Sequence, residues 1–324
     1  MFSYTSLQQR VSEEFRNARF LFHPEGLYLP IHYTMENGGK RLRPVLVLLS
    51  CDLCRGDIGQ AILPAMGLEI FHNFTLLHDD IMDQADLRRG RETVHRKWNV
   101  NTAILSGDTM FVMAYEYVAK TDPSLLPQVM ELFNDTARKV CEGQQFDMDF
   151  ESLADVNIHD YLMMIRLKTA VLIACSLKLG AIIAGAPPEV AGKLYDTGME
   201  LGLAFQLMDD YLDAFGDTTR FGKTIGGDIA ANKKTYLLLK ALETARGDQL
   251  IRLTNLLTDR HISRDEKIAG IIRIYNDLNI PAIVLDQIRH HHIKATGILD
   301  TLTGLGYDVS ELKSLMEQML SREN

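Results

Sequence analysis

Two stretches of the chain carry the same arrangement of carboxylates. Asp79, Asp80 and Asp83 lie in Leu77-His78-Asp79-Asp80-Ile81-Met82-Asp83. Asp209, Asp210 and Asp213 lie in Gln206-Leu207-Met208-Asp209-Asp210-Tyr211-Leu212-Asp213. Each set occupies positions i, i+1 and i+4. On a helix turning about 100° per residue, i and i+4 nearly superpose and i+1 lies about 100° round, so three carboxylates project from one sector over about one turn. A single acidic cluster is ordinarily a solvated helix face. These two have core-like flanks, Phe74-Thr75-Leu76-Leu77 and Leu203-Ala204-Phe205, which set them into or beside the interior. Carboxylates so close raise one another's pKa and are costly unless a cation neutralises them. All-oxygen ligands select a hard ion, and magnesium takes few carboxylates, several waters and substrate phosphate oxygens. The chemistry expected is a diphosphate held through bridging magnesium ions.

Counter-charges for such a diphosphate stand nearby. Arg88-Arg89-Gly90 follows the first aspartate set, and Gly38-Gly39-Lys40-Arg41-Leu42-Arg43-Pro44 precedes it. Glycines beside cations permit close backbone approach, and arginine forks match phosphate oxygens. Either cluster alone reads as a solvated surface or a helix end; their order around the aspartates gives them a joint purpose.

Helices must position these groups. Apolar residues recur three and four apart, as in Leu105 to Tyr117 and Leu194 to Phe215, only nine prolines interrupt the chain, and alternating strand patterns are scarce. The expected fold is all-α. With 46% apolar residues, no low-complexity segment and no break in composition, the 324 residues read as one domain, 1–324. Gly56 to Gly59, Thr121 to Pro127, Gly185 to Pro188 and Asp217 to Gly227 read as loops, and Gly216 to Asp228 is a polar, glycine-rich candidate lid. Ala170 to Ala186 is the most apolar stretch, but Lys178 and Pro187-Pro188 make it a buried core helix rather than a membrane span. A net charge of -9 argues against nucleic acid as a partner. Four cysteines make no disulfide framework, and charges within Met1 to Phe22 argue against a signal peptide. A cytoplasmic protein without stable membrane insertion is expected.

The run Gly38 to Pro44, then His72, Asp79-Asp80-Ile81-Met82-Asp83 and Arg88-Arg89-Gly90, resembles the trans-isoprenyl diphosphate synthase (polyprenyl synthetase) family. So do Lys168-Thr169, Phe205-Gln206 before the second DDxxD, Gly222-Lys223, and Asp228 to Thr235. These blocks stand in family order over Gly38 to Thr235, with no departure at the motif residues. The N-terminal segment and the last ninety or so residues carry no assignable motif. The resemblance is to short-chain members making farnesyl or geranylgeranyl diphosphate. It implies an antiparallel helical bundle with a deep central active-site cavity, the isoprenoid synthase fold, working as a homodimer. It also implies three magnesium ions with bound diphosphate. Asp79, Asp83 and Asp209 would be the principal ligands, supported by Asp80, Asp210 and Asp213. Arg88, Lys168 and Lys233 would hold the allylic diphosphate, with Lys223 and Gln206 nearby. Lys40, Arg43, His72 and Arg89 would hold isopentenyl diphosphate; the helical wheel sets His72 about 20° from Asp79, two turns earlier.

An ionisation mechanism suits these groups. Charge building on a departing diphosphate is stabilised, the allylic carbon–oxygen bond breaks, the double bond of isopentenyl diphosphate attacks and a proton is lost. The family suggests the released diphosphate as proton acceptor, with Lys168, Thr169 and Gln206 steadying the cation. Two rivals share parts of the pattern. A class I terpene cyclase usually has an Asn/Ser/Glu motif second and needs no isopentenyl site. A non-catalytic regulatory subunit should have a broken aspartate motif. Chain length would be set by Phe74, five before the first aspartate, with small Thr75 beside it and Phe71 a turn away. The pattern slightly favours a twenty-carbon over a fifteen-carbon product, although the wheel puts Phe74 about 140° and Thr75 about 40° from Asp79. Two further features are set aside. Cys51-Asp52-Leu53-Cys54 has zinc-like spacing but no second pair, so structural thiols are expected. His290-His291-His292 reads as a solvated patch.

Overall fold

In the computed structural model, described for residues 2–216, 226–259 and 261–320, helices carry nearly all of the chain. Two compact units are resolved. The first comprises Met1–Thr136, Leu172–Asp196 and Ile298–Leu315; the second comprises Ala137–Val171, Thr197–Gly297 and Met316–Asn324.

The first unit contains α1 (Tyr4–Asn17), α2 (Glu25–Glu36), α3 (Leu42–Leu53), α4 (Ile58–Met82), α5 (Val94–Lys97) and α6 (Val100–Val118). Helix α4 starts where the Asp57 side chain accepts from the Gly59 N–H at 2.8 Å. Ala61, Ile62, Ala65, Met66, Leu68, Ile70 and Phe71 bury it on most sides, so it is the central helix of this unit. Gly67 lets α6 pack closely, since a Cβ there would lie 2.6 Å from Val118. A short hairpin then interrupts the helices. Leu87–Arg88 (β1) and Arg91–Glu92 (β2) form a hairpin whose two-residue turn, Arg89 and Gly90, has φ of 53° and 74°. Two positive φ values in succession mark the mirror-image turn that fits strand twist, and Gly90 supplies one of them without strain.

Further on come α7 (Leu126–Ser152), α8 (Ile158–Ile165), a π-helical segment (Arg166–Ala170), α9 (Val171–Ile183) and α10 (Pro188–Phe215). Helix α8 opens on a reciprocal cap between Asn157 and Asp160. Helix α9 is the expected core helix, with Ile173, Ala174 and Leu177 fully buried. Its Gly180 permits close approach to α3, because a Cβ there would sit 2.1 Å from the Val47 carbonyl. The remaining helices are α11 (Gly227–Ala230), α12 (Tyr236–Thr244), α13 (Gly247–Thr258), α14 (Arg264–Asp277), α15 (Ile280–Gly304) and α16 (Ser310–Leu320). Three of the expected loops coincide with helix breaks; the fourth, around Asp217 to Gly227, falls largely outside the described residues. Among the described residues no single helix is long and apolar enough to cross a membrane.

Candidate active site

The first aspartate set closes α4. Asp83 caps the helix, its N–H donating to the Asp79 carbonyl at 2.8 Å. Asp83 is exposed and Asp79 half-buried, whereas Asp80 is only 5% exposed. Thus i and i+4 share a solvent-facing side, and i+1 turns inward. The hairpin explains how Asp80 tolerates this. Its Arg88 donates from Nε to Asp80 Oδ1 at 2.7 Å and from a terminal nitrogen to Asp79 Oδ2 at 3.4 Å. Burial pushes the Asp80 pKa up to about 6, with Arg88 pulling down and Asp79 and Asp83 adding to the rise.

Upstream cations gather at the same unit's surface. Gly38, Gly39 and Arg41 have φ of 64°, 124° and 48°. A Cβ on Gly39 would lie 2.9 Å from the Arg89 guanidinium, so this glycine allows Arg89 to lie across the loop and donate to the Gly38 carbonyl. Lys40 is exposed on that loop and Arg43 half-buried in the first turn of α3. His72 on α4 is held well below its ordinary pKa by burial and then by Arg43, Arg89, Arg88 and Arg41. The imidazole is therefore neutral among guanidiniums, and the local field is that of an anion site.

The second unit holds the other aspartate set near the end of α10. Asp209 is exposed, Asp213 half-buried and Asp210 only 6% exposed. Again i+1 turns inward. The buried Tyr161 hydroxyl donates to Asp210 Oδ2, and Gln206 Nε2 donates to its other oxygen at 2.9 Å. Burial raises the Asp210 pKa to about 7, and Asp228 adds to the rise. Asp213 Oδ2 accepts the Asp228 N–H at 3.0 Å. Lys168 and Thr169 stand on the π-helical segment, a geometry common at functional sites. Gly143 of α7 and Gly202 of α10 admit it: a Cβ would lie 2.2 Å from the Lys168 nitrogen or 2.5 Å from the Ala170 Cα. Thr169 donates to Gln206 Oε1 at 2.9 Å. Lys168 and Lys233 converge on Asp147 Oδ2 at 2.6 and 3.4 Å. Burial alone would raise the Asp147 pKa, but the two lysines outweigh it and hold it below the usual range.

An aromatic wall lies behind the first set. Phe74 meets Phe111 of α6 at 5.1 Å, His78 at 4.8 Å and Phe71 at 5.6 Å between centroids. Phe71 is fully buried and also meets Phe133, which packs on Tyr115. Thr75 is half-buried, its hydroxyl donating to the His72 carbonyl at 2.8 Å.

The model of the polyprenyl synthetase family matches residues 24–275. A short chain isoprenyl diphosphate synthase of Methanothermobacter thermautotrophicus is 41% identical over 272 residues, covering 82% of each chain. A geranylgeranyl diphosphate synthase of Saccharolobus solfataricus is 41% identical over 242 residues, 73% of each. A crystal structure of a geranylgeranyl pyrophosphate synthase superposes with a TM-score of 0.93 at 43% identity, covering both chains fully. The chain belongs to the polyprenyl synthetase family. It is a prenyltransferase with the all-α isoprenoid synthase fold of that family.

The donor set fits the magnesium on which such synthetases depend. In each set the i and i+4 carboxylates are oxygen donors one turn apart. Such oxygen donors suit magnesium, which takes one or two carboxylates and completes its octahedron with water and substrate phosphate.

Several functional-looking residues had no signal in the sequence. Asp147 lies in an ordinary acidic stretch, Tyr161 and Phe111 at core-type positions, and Arg41 passed as one cation among three. Lys223 lies outside the described residues. One reading is corrected: His291 belongs to no solvated patch. It is 8% exposed and its Nδ1 lies 2.6 Å from Glu200 Oε2, because α15 turns that one histidine of the three inward. The Cys51 thiol is pushed up to about 12 by burial and Cys54 to about 11, so both are protonated at neutral pH and poor metal ligands.

Proposed function

We propose that this chain joins isopentenyl diphosphate head to tail to an allylic diphosphate (dimethylallyl, geranyl or farnesyl), yielding a short-chain trans-prenyl diphosphate. Geranylgeranyl diphosphate is favoured over farnesyl diphosphate. The observation that carries this reading is the repeated aspartate arrangement, a partly exposed i, i+4 pair beside a buried, bonded i+1 carboxylate, in a chain that also holds the cation cluster around His72. The family's chemistry needs an anion site for each substrate, and cations are present for both.

In this reading Asp79, Asp83 and Asp209 would be the principal magnesium ligands, supported by Asp80, Asp210 and Asp213, for three ions with bound diphosphate. Magnesium would neutralise the charge that grows on the departing diphosphate. Arg88, Lys168 and Lys233 grip the allylic diphosphate, with Lys223 and Gln206 beside it. Lys40, Arg43, His72 and Arg89 hold isopentenyl diphosphate with its double bond toward the allylic carbon. The Thr169 and Gln206 dipoles steady the allylic cation, apolar walls keep water from it, and the released diphosphate takes the proton. Asp147 keeps Lys168 and Lys233 together, an arrangement supported by its distances to both.

The protein is further proposed to act as one catalytic domain, 1–324, in a cytoplasmic homodimer. The exposed apolar side chains of Val100, Ile104, Leu105 and Val112 on α6 support a partner of its own kind. Product length is assigned to Phe74 with Thr75, backed by Phe71. The test incubates pure protein with magnesium, radiolabelled isopentenyl diphosphate and each allylic starter. Twenty-carbon diphosphate is expected. Cyclised hydrocarbon or no elongation overturns the reading. In the same assay Phe74→Ala should lengthen the products, and an unchanged distribution from an active variant would remove Phe74 from that role.

A further inference from the structure

The N-terminal helix carries no chemistry of its own, yet it presses on the loop that bears Lys40. Leu7, Val11 and Phe15 bury one face of α1. From its other residues, Gln8 Nε2 donates to the Lys40 carbonyl at 2.9 Å and to the Tyr4 hydroxyl at 3.2 Å. The Tyr4 hydroxyl itself lies 3.5 Å from the same carbonyl. The next residue, Arg41, is unlike its basic neighbours. It is 7% exposed and sits at φ 48°, a left-handed conformation that a non-glycine residue adopts only when its surroundings impose it. Those surroundings are visible. The guanidinium stacks on Phe15 of α1, 4.4 Å from the ring centroid. It donates to Glu69 Oε1 at 3.0 Å and to the Met35 carbonyl at 2.6 Å. Glu69 is 2% exposed, and its carbonyl and carboxylate accept from Asn73 at 2.8 and 3.4 Å. Arg41 thus ties α1, α2 and α4 to one strained point of backbone.

We propose that α1 and the Arg41–Glu69 pair form a strap that positions the isopentenyl diphosphate loop, with Arg41 a positioning residue rather than a phosphate ligand. The guanidinium is buried and held by Glu69, the Met35 carbonyl and the Phe15 ring, so its charge is turned toward protein rather than offered to a substrate. Its work is to fix the left-handed turn between Lys40 and Arg43. Gln8 and Tyr4 fix the Lys40 carbonyl from outside, and the Lys40 side chain is thereby delivered in one orientation. The strap rests on the pocket assignment under the proposed function.

Binding of isopentenyl diphosphate alone, followed by calorimetry without an allylic partner, tests it. The enzymes are the wild type, Lys40→Ala, Gln8→Ala with Tyr4→Phe, and Arg41→Met with Glu69→Met. The last removes both buried charges together, so that neither is stranded. Loss of the Gln8 and Tyr4 bonds should weaken isopentenyl diphosphate roughly 3- to 10-fold. The Arg41/Glu69 double variant should weaken it further. In steady-state assays both should raise KM for isopentenyl diphosphate while kcat and the allylic KM stay at wild-type values. A purely structural role would instead lower Tm and affect both substrates alike, and that result overturns the strap. So does wild-type affinity in both strap variants while Lys40→Ala binds weakly. If Lys40→Ala also binds as the wild type does, the pocket assignment itself has failed. If the buried double variant does not fold, the surface pair Gln8→Ala with Tyr4→Phe decides alone.

Discussion

Within each aspartate set the exposed and the buried carboxylates should answer differently to substitution. In the proposed mechanism Asp79→Ala and Asp209→Ala would each remove a magnesium ligand that serves the charge of the transition state. The expected loss in kcat is on the order of 10²–10³, with the fold retained, and steady-state kinetics beside circular dichroism check it. Asp80 and Asp210 are held inside by Arg88 and Tyr161, and their signature is a pH effect on stability. Asp210 has a folded pKa of about 7 against an ordinary carboxylate value of 3.8. Between those values the folded state binds more protons than the unfolded state, so this group's contribution to stability falls as pH rises. His72 works in the opposite direction. Its folded pKa is depressed, the unfolded state binds the extra proton, and its stability contribution is lost as pH falls below about 6.5. The two effects mask each other in a single melting curve. In metal-free buffer, the Tm difference between Asp210→Asn and wild type should therefore grow in the variant's favour from pH 5 to pH 8. A flat difference would mean that Asp210 is ionised throughout. The six aspartates are legible in the sequence as a repeated spacing of one residue type. Their division into exposed and buried is not, because it depends on Arg88, Tyr161 and Gln206 reaching the i+1 position from elsewhere.

The elements that carry the site differ in how far the sequence disclosed them. Helices α4, α6 and α10 follow from apolar residues three and four apart, and α9 from the apolar stretch ending at Pro187-Pro188. The hairpin at Leu87–Glu92 has strands of two residues each, too short to show alternation, so Arg88 and Arg89 read only as a basic cluster. The π-helical turn at Arg166–Ala170 leaves no mark in composition either; what admits it are two glycines on neighbouring helices. That dependence is testable. In Gly143→Ala the new methyl would sit 2.2 Å from the Lys168 nitrogen, a backbone atom that cannot step aside. Overpacking of this kind costs about 1–3 kcal/mol. The turn should be displaced with it, so the allylic KM should rise and kcat should fall. Gly192→Ala is the matched control, a helical glycine with nothing within 4 Å of the new Cβ. It should gain up to about 1 kcal/mol from reduced freedom of the unfolded chain, with unchanged kinetics. Equal behaviour of the two variants in both melting and kinetics would disconnect the π-helical turn from substrate binding.

At the scale of the whole molecule, the composition excluded partners more readily than it named one. A net charge of -9 leaves little attraction for nucleic acid, and the self-association proposed here has to be argued from a surface. Helix α6 supplies it. Leu105 and Val112 are 59% and 57% exposed, with Val100 and Ile104 at the same end, an apolar display that a solvated helix would not need. Phe111 and Tyr115, about 20° from Ile104 on the helical wheel, flank that display and join the aromatic wall with Phe74. One element therefore serves both the proposed dimer seat and the proposed floor of the product site. Leu105→Glu with Val112→Glu should place two like charges on each copy of that seat and, across a symmetric interface, oppose them to their own equivalents. Light scattering should then report a mass near 36.6 kDa rather than twice that value. Without a partner to steady α6, Phe111 should support Phe74 less firmly, and the products should spread toward longer chains. A monomer that still makes the wild-type product would separate the two roles of α6 and leave chain length to α4 alone. A variant that remains dimeric would move the interface to another face.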